Sequence, residues 1–321
     1  MQQVLDALAS LQPVPIESLA PADARRRPNS ADAVKAVVAG QGRPATPEAV
    51  GKVADRMIQG AAGQIPARVY APAGTGPFPI LVYYHGGGWV IGGIDAYDAS
   101  ARALTNTARA IVVSVGYRRA PEHRFPAAHA DAYTAYRWVR ANAGMLGGDP
   151  ARIAVGGEGA GGTLAAAVSI MARDSGLTVP VHQLLVYPIA DASMATPSYR
   201  EHAAAQPLSR ATMTWYFGQY LRTSEDGANP LISLVRADVK GLPPATIIAA
   251  ELDPLTSEGR AYAERLEGAG VDVEYELYSG VTHEFFGMGA IVPDARAAVE
   301  LAASRLRKSF EESARAYEER R

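Results

Sequence analysis

The sequence predicts an α/β protein with a mostly parallel, doubly wound sheet. Short continuous runs of branched apolar residues recur between about residues 67 and 280, as expected of strands buried on both faces. The stretches between them place apolar residues at helical spacing instead. Regular strand–helix alternation of this kind builds parallel sheets with helices on both sides.

The first strand in this rhythm is "ARVYAP" (67–72), a short one. "PILVYYH" (79–85) is continuously apolar and runs into glycines, and "AIVVSVGY" (110–117) has the same character. "RIAVGG" (152–157), "QLLVYP" (183–188), "ATIIAAE" (245–251) and "VEYELYSG" (273–280) complete the series. The intervening helices are predicted at 96–109, 127–143, 162–176 and 257–270, the last with Gly268 and Gly270 as candidate C-cap residues. Two regions stand outside the alternation. Residues 1–60 carry the predicted helices "ADAVKAVVA" (31–39) and "PEAVGKVADRMIQ" (47–59), separated by proline-rich turns. Residues 191–226 carry a further helix, "LSRATMTWYFGQYLR" (208–222). Both are expected above the carboxyl end of the sheet, where open parallel sheets bind ligands. The resulting division is a helical segment over 1–60, core over 61–190, a second overlying segment over 191–226 and core again over 227–321. The charged tail, 304–321, reads as a solvated helix.

Composition narrows the functional classes. The chain of 321 residues has 31 basic and 33 acidic side chains, a formal charge of −2 that argues against nucleic acid or an anionic membrane as partner. Without cysteine there is no disulfide, thiolate nucleophile or cysteine-ligated zinc, which fits a reducing, cytoplasmic setting. The start "MQQVLDALASLQ" lacks the pattern of a signal peptide, and no apolar run approaches the ~18 residues of a membrane span.

Four segments carry chemistry. "HGGGW" (85–89) follows a buried strand, and consecutive glycines there turn backbone N–H groups toward a developing oxyanion. "GGEGAGG" (156–162) has the small residues that let a strand reverse sharply into a helix and so present a tip residue, Gly159. It has no lysine and no G-x-x-x-x-G-K-[ST] pattern, which argues against a phosphate loop. Asp253, in "AELDPLTSEG" (250–259), ends a buried strand, and His283, in "YSGVTHEFF" (278–286), follows the next one. The order tip, Asp, His is that of a catalytic triad in which His is base then acid and Asp orients it.

These segments, with "YRRAPEHRFPAAHADAYTAYRWV" (117–139) and "LDPLTSEGRAYAERL" (252–266), resemble the bacterial hormone-sensitive-lipase-like carboxylesterases over residues 40 to 310. The resemblance implies an α/β-hydrolase fold with about eight strands and a helical cap, acting on short-chain acyl esters without cofactor or metal, with a homodimer as a further expectation. It places Asp253 and His283 in the triad, the N–H groups of Gly87, Gly88 and Ala160 in the oxyanion hole, and Glu158 where the family has an acid. Trp89, Tyr199, Trp215, Phe217 and Phe286 are candidate pocket walls. "YRRAPEH" contributes Arg118, Arg119, Glu122 and His123 to an expected ion-pair network that includes Asp131, and His129 and His202 are expected to be inert.

One departure matters. The family pattern G-[DE]-S-A-G-G reads here Gly157-Glu158-Gly159-Ala160-Gly161-Gly162, with no serine at the tip, and "HEFF" stands for the usual His-Gly-Phe-Phe. Neither Ser169 nor Thr163, both on the following helix, is placed to substitute. Three readings follow: an esterase scaffold with its nucleophile replaced, a site in which His283 and Asp253 activate water or abstract a proton, and a non-catalytic binder of small esters.

Overall fold

A computed structural model describes residues 1–12 and 14–319. Its eight strands are β1 Lys52–Gly60, β2 Gly63–Ala71, β3 Phe78–Tyr84, β4 Ile111–Val115, β5 Gly148–Glu158, β6 Gln183–Val186, β7 Ala245–Leu252 and β8 Val273–Thr282. Its ten helices are α1 Gln2–Leu11, α2 Pro21–Ala24, α3 Ser30–Gly40, α4 Asp98–Ala108, α5 Ala127–Asn142, α6 Ala160–Asp174, α7 Pro197–Glu201, α8 Arg210–Tyr220, α9 Thr256–Gly268 and α10 Pro293–Glu318. The strands form one sheet in the order β1-β2-β4-β3-β5-β6-β7-β8. The β1–β2 hairpin and the β2–β4 pair are antiparallel; all other neighbours are parallel. This is the α/β-hydrolase arrangement expected from the strand–helix alternation and the family resemblance.

The alternation of side chains along β3 builds both faces of the core. Ile80, Val82 and Tyr84 join the cluster formed with α5, α6 and α9, while Leu81 and Tyr83 join the cluster formed with α4 and α10. Helix α6 is buried on nearly its whole surface, from Ala160 through Ile170. Its glycines and alanines allow that, because a bulkier stripe would hold it away from the sheet. The end of α9 is closed as its glycines suggest, with Gly270 at a φ of 81° and its N–H donating to the Glu267 carbonyl at 2.9 Å.

One predicted element is overturned. Residues 47–59 read as a helix, because Val50, Val53 and Met57 recur at helical spacing. In the structure 52–60 is β1, an edge strand paired with β2 over nine positions from Lys52↔Ala71 to Gly60↔Gly63. Its backbone groups are satisfied by that pairing, and most of its side chains are exposed, so the spacing of its apolar residues carries no burial. The hairpin turn is tied to α5 by the Ala61 N–H donating to the Asp131 carboxylate at 2.8 Å. The helical part of the N-terminal segment is therefore α1 to α3 alone. The tail is helical through Glu318, and residues 320 and 321 of the expected helix lie outside the described residues. Among the described residues no helix is long and apolar enough to cross a membrane.

Two expectations about the scaffold divide. Arg118 meets the buried Asp131 at 2.7 Å, and Glu122 pairs with Arg25 at 2.6 Å. Arg119 stands outside any ion pair among the described residues and donates to the Gly92 carbonyl instead. His129 is buried between the Tyr220 hydroxyl and the Leu231 carbonyl, at 2.7 and 2.9 Å.

The turn from β5 into α6 presses on the end of β3. A Cβ at Gly161 would lie 1.9 Å from the Tyr84 carbonyl oxygen, and one at Gly157 2.4 Å from the same atom. Since both neighbours are backbone, relief requires moving a central strand. Gly161→Ala is expected to cost at least about 3 kcal/mol of stability, read as a lower midpoint in urea denaturation at unchanged slope.

Candidate active site

Three strands end together beneath α8 and deliver the predicted groups to one place. The β5–α6 turn presents Gly159 at φ 54° and ψ −118°, a conformation that costs any other residue strain. Its N–H is anchored on the Val186 carbonyl at 2.9 Å. Asp253, directly after β7, is fully buried; one carboxylate oxygen accepts the Leu255 N–H at 2.9 Å and the other meets His283 Nδ1 at 2.6 Å. With Nδ1 donating to Asp253, Nε2 of His283 is the free ring nitrogen. A Cβ built on Gly159 lies 3.3 Å from that Nε2 and 3.6 Å from Cε1 of the same ring, and meets nothing else within 4 Å.

The loop after β3 faces the same point. Gly87 and Gly88 have φ of 97° and 57°. A Cβ on the first would sit 2.5 Å from the Ile91 carbonyl oxygen, and on the second 2.2 Å from the Tyr216 ring, so glycine is demanded by space as well as by backbone angle. Neither N–H has an acceptor among the described residues. Ala160 opens α6, where first-turn N–H groups lack intrahelical partners. Gly87, Gly88, Gly159, Ala160 and His283 line one cavity of about 30 Å³. It shares Gly87, Pro207, Tyr216 and Glu284 with a larger chamber of about 970 Å³ that reaches the N-terminal helices.

The expected wall residues are elsewhere. Trp89 is fully buried, stacked on Tyr220 at 4.5 Å between ring centres, with Phe217 beside it. Tyr199 and Phe286 are buried in the two core clusters, and Trp215 packs edge-on to Tyr216; none of the five lines either cavity. Their bulk made them plausible walls, but the β3 loop, α7, α8 and the loop after β8 turn them into or against the core. Tyr216, one residue along α8 from Trp215, covers Gly88 instead. Glu158 reaches the edge of the chamber while 1% exposed, its carboxylate receiving the hydroxyls of Tyr83 and Tyr187. Thr163 and Ser169 are committed to the Ile189 and Ala165 carbonyls at 2.6 and 3.1 Å, away from His283.

Glu284 is the residue whose importance is not visible in sequence beyond its replacing a glycine. It adopts φ 67°, unusual for a non-glycine residue, and lines both cavities. The Tyr97 hydroxyl donates to it at 3.0 Å, and the Ser30 hydroxyl at the start of α3 donates to its other oxygen. It thereby ties the histidine loop to the N-terminal segment.

The electrostatics of His283 follow from these neighbours. Burial is the largest influence and pushes its pKa down, but the charge of Asp253 and the hydrogen bond to it, with Glu284 and Glu158 adding to them, together raise it above the ordinary 6.5. Glu158 moves up from the usual carboxylate range because burial outweighs the hydroxyls of Ser100, Tyr187 and Tyr83.

The alpha/beta hydrolase fold family matches residues 81–287. The chain belongs to that family. Among its relatives, the carboxylesterase NlhH of Mycobacterium tuberculosis is 43% identical over 251 residues, covering 77% of this chain and 79% of that protein. A Pyrobaculum calidifontis esterase superposes with a TM-score of 0.85 at 38% identity, over 95% of this chain and 97% of that one. A serine-to-alanine mutant of the esterase rPPE, complexed with (S)-Ac-CPA, superposes with a TM-score of 0.86 at 33% identity, over 97% of each chain. These three relatives are esterases, and the dyad described above sits at the strand ends where open parallel sheets place ligands.

Titration of His283 by NMR is expected to give a pKa above 6.5 in this chain. In Asp253→Asn it should fall below that value, because burial then acts with its main opponent removed. An unchanged value in the variant would show that Asp253 does not govern the ring.

Proposed function

We propose that this chain is a carboxylic ester hydrolase scaffold for short-chain acyl esters, arranged for a serine–histidine–aspartate mechanism, in which glycine at the nucleophile position keeps ligand binding and strongly reduces turnover. The observation that carries the reading is the 3.3 Å separation between the Cβ direction of Gly159 and Nε2 of His283. A serine there would place its hydroxyl against the free nitrogen of a histidine already oriented by Asp253. In that form His283 takes the hydroxyl proton as oxygen attacks the ester carbonyl, and later returns it to the leaving alcohol. Gly87, Gly88 and Ala160 supply N–H groups to the oxyanion. With glycine, the oxyanion donors and the binding surfaces remain, which by themselves leave about 10³–10⁴ over the uncatalysed rate. The rPPE relative holds a small molecule with one serine replaced by alanine, which is consistent with binding outlasting the loss of a hydroxyl.

Gly159→Ser is expected to raise p-nitrophenyl ester turnover by at least about 10³-fold, at the cost of some backbone strain. A gain of tenfold or less would overturn the assignment of position 159.

A second reading is favoured by the intact His283–Asp253 pair at 2.6 Å. A water hydrogen-bonded to Nε2 would be deprotonated as it attacks the ester, with His283 returning the proton to the alcohol. The slow hydrolysis of the chain as given should then fall by about 10²-fold or more in His283→Ala, without a burst of p-nitrophenol in the parent. A full residual rate in His283→Ala excludes this route.

A further inference from the structure

The two neighbouring cavities differ in size, and the difference bears on which ester fits. Around the reacting centre the space is about 30 Å³, with Ile189, Leu208, Met213 and Leu255 among its lining residues. That is room for about one or two water-sized groups, enough for a methyl beside a carbonyl and too little for a chain of several methylenes. The chamber on the other side is about 970 Å³, at the upper end of pockets that take drug-sized ligands.

The chamber carries polar side chains among its apolar ones. Arg27 and Arg119 line it without an ion-pair partner among the described residues, and Asn29 and Glu284 line it as well. Ser100 lines it too, its buried hydroxyl beside the Glu158 carboxylate and the Tyr83 hydroxyl. Guanidinium donors, a carboxylate acceptor and a hydroxyl that does both are complementary to a ligand with many hydroxyl groups.

We propose that the site takes acetyl esters of bulky, polyhydroxylated alcohols, the acetyl methyl against Met213 and Leu255 and the alcohol in the chamber against Ser100 and Arg119. This rests on the ester-hydrolase reading of the same centre. The reaction adds water across the acyl–oxygen bond, releasing acetate and the free polyol.

The test uses the Gly159→Ser chain. Acetate release is measured from methyl 6-O-acetylglucopyranoside and from ethyl acetate, and p-nitrophenol release from the acetate and the hexanoate. The sugar acetate is expected to exceed ethyl acetate in kcat/KM by about tenfold or more, and the p-nitrophenyl acetate to exceed the hexanoate by a similar factor. Arg119→Met and Ser100→Ala should each narrow the first ratio, and Met213→Ala the second. Ratios within about twofold of unity, with p-nitrophenyl acetate readily hydrolysed, would overturn the proposal and leave the ester-hydrolase reading standing. Failure to hydrolyse any of the four esters would sink that reading, and the proposal with it.

Discussion

The approach of the β5–α6 turn to the end of β3 is the constraint on which the site depends. The Tyr84 carbonyl lies where a Cβ of Gly157 or Gly161 would be. Only glycine at both positions lets the chain reverse this close to the central strand. That reversal starts α6 at Ala160 and leaves Gly159 at the tip with a positive φ. It also sets Ala160 beside Gly87 and Gly88, because the loop carrying those two leaves the same strand. A shift of β3 would therefore disturb the oxyanion donors and the tip residue together.

Around this point the charges are arranged to keep one imidazole nitrogen available. Asp253 is buried and held by the Leu255 N–H, so it cannot rotate away from His283 without losing a hydrogen bond in the protein interior. Glu158 and Glu284 add negative charge within reach of the same ring, and each is steadied by hydroxyl donors rather than by a cation. The strained backbone at Glu284 is maintained by contacts from two other segments, Tyr97 and Ser30. Through this residue the N-terminal helices, which form one wall of the chamber, are connected to the loop that carries the histidine.

Much of this was readable in the sequence for identifiable reasons. The buried parallel strands announce themselves as continuous apolar runs, and the functional loops follow directly from their carboxyl ends. Glycines at 87, 88, 157 and 161 mark backbone approaches that no side chain would permit, so they were visible as residue type alone. The hairpin strand β1 was not legible. Its side chains are exposed on an edge, and its conformation comes from pairing with β2 rather than from its own pattern. The walls were misread because bulk says nothing of direction: Trp89 and Phe286 point into the core, while Tyr216 and Glu284 point into the cavities.

By itself the sequence determined the sheet type, the family and the absence of a hydroxyl at position 159, since each follows from local residue type and order. The tertiary structure alone decided that the side-chain direction of residue 159 meets Nε2 of His283. It alone divided the space around that point into a small centre and a large chamber. Those features arise where segments more than a hundred residues apart come together. Their distances depend on how helices and loops pack over the sheet, which no local pattern encodes.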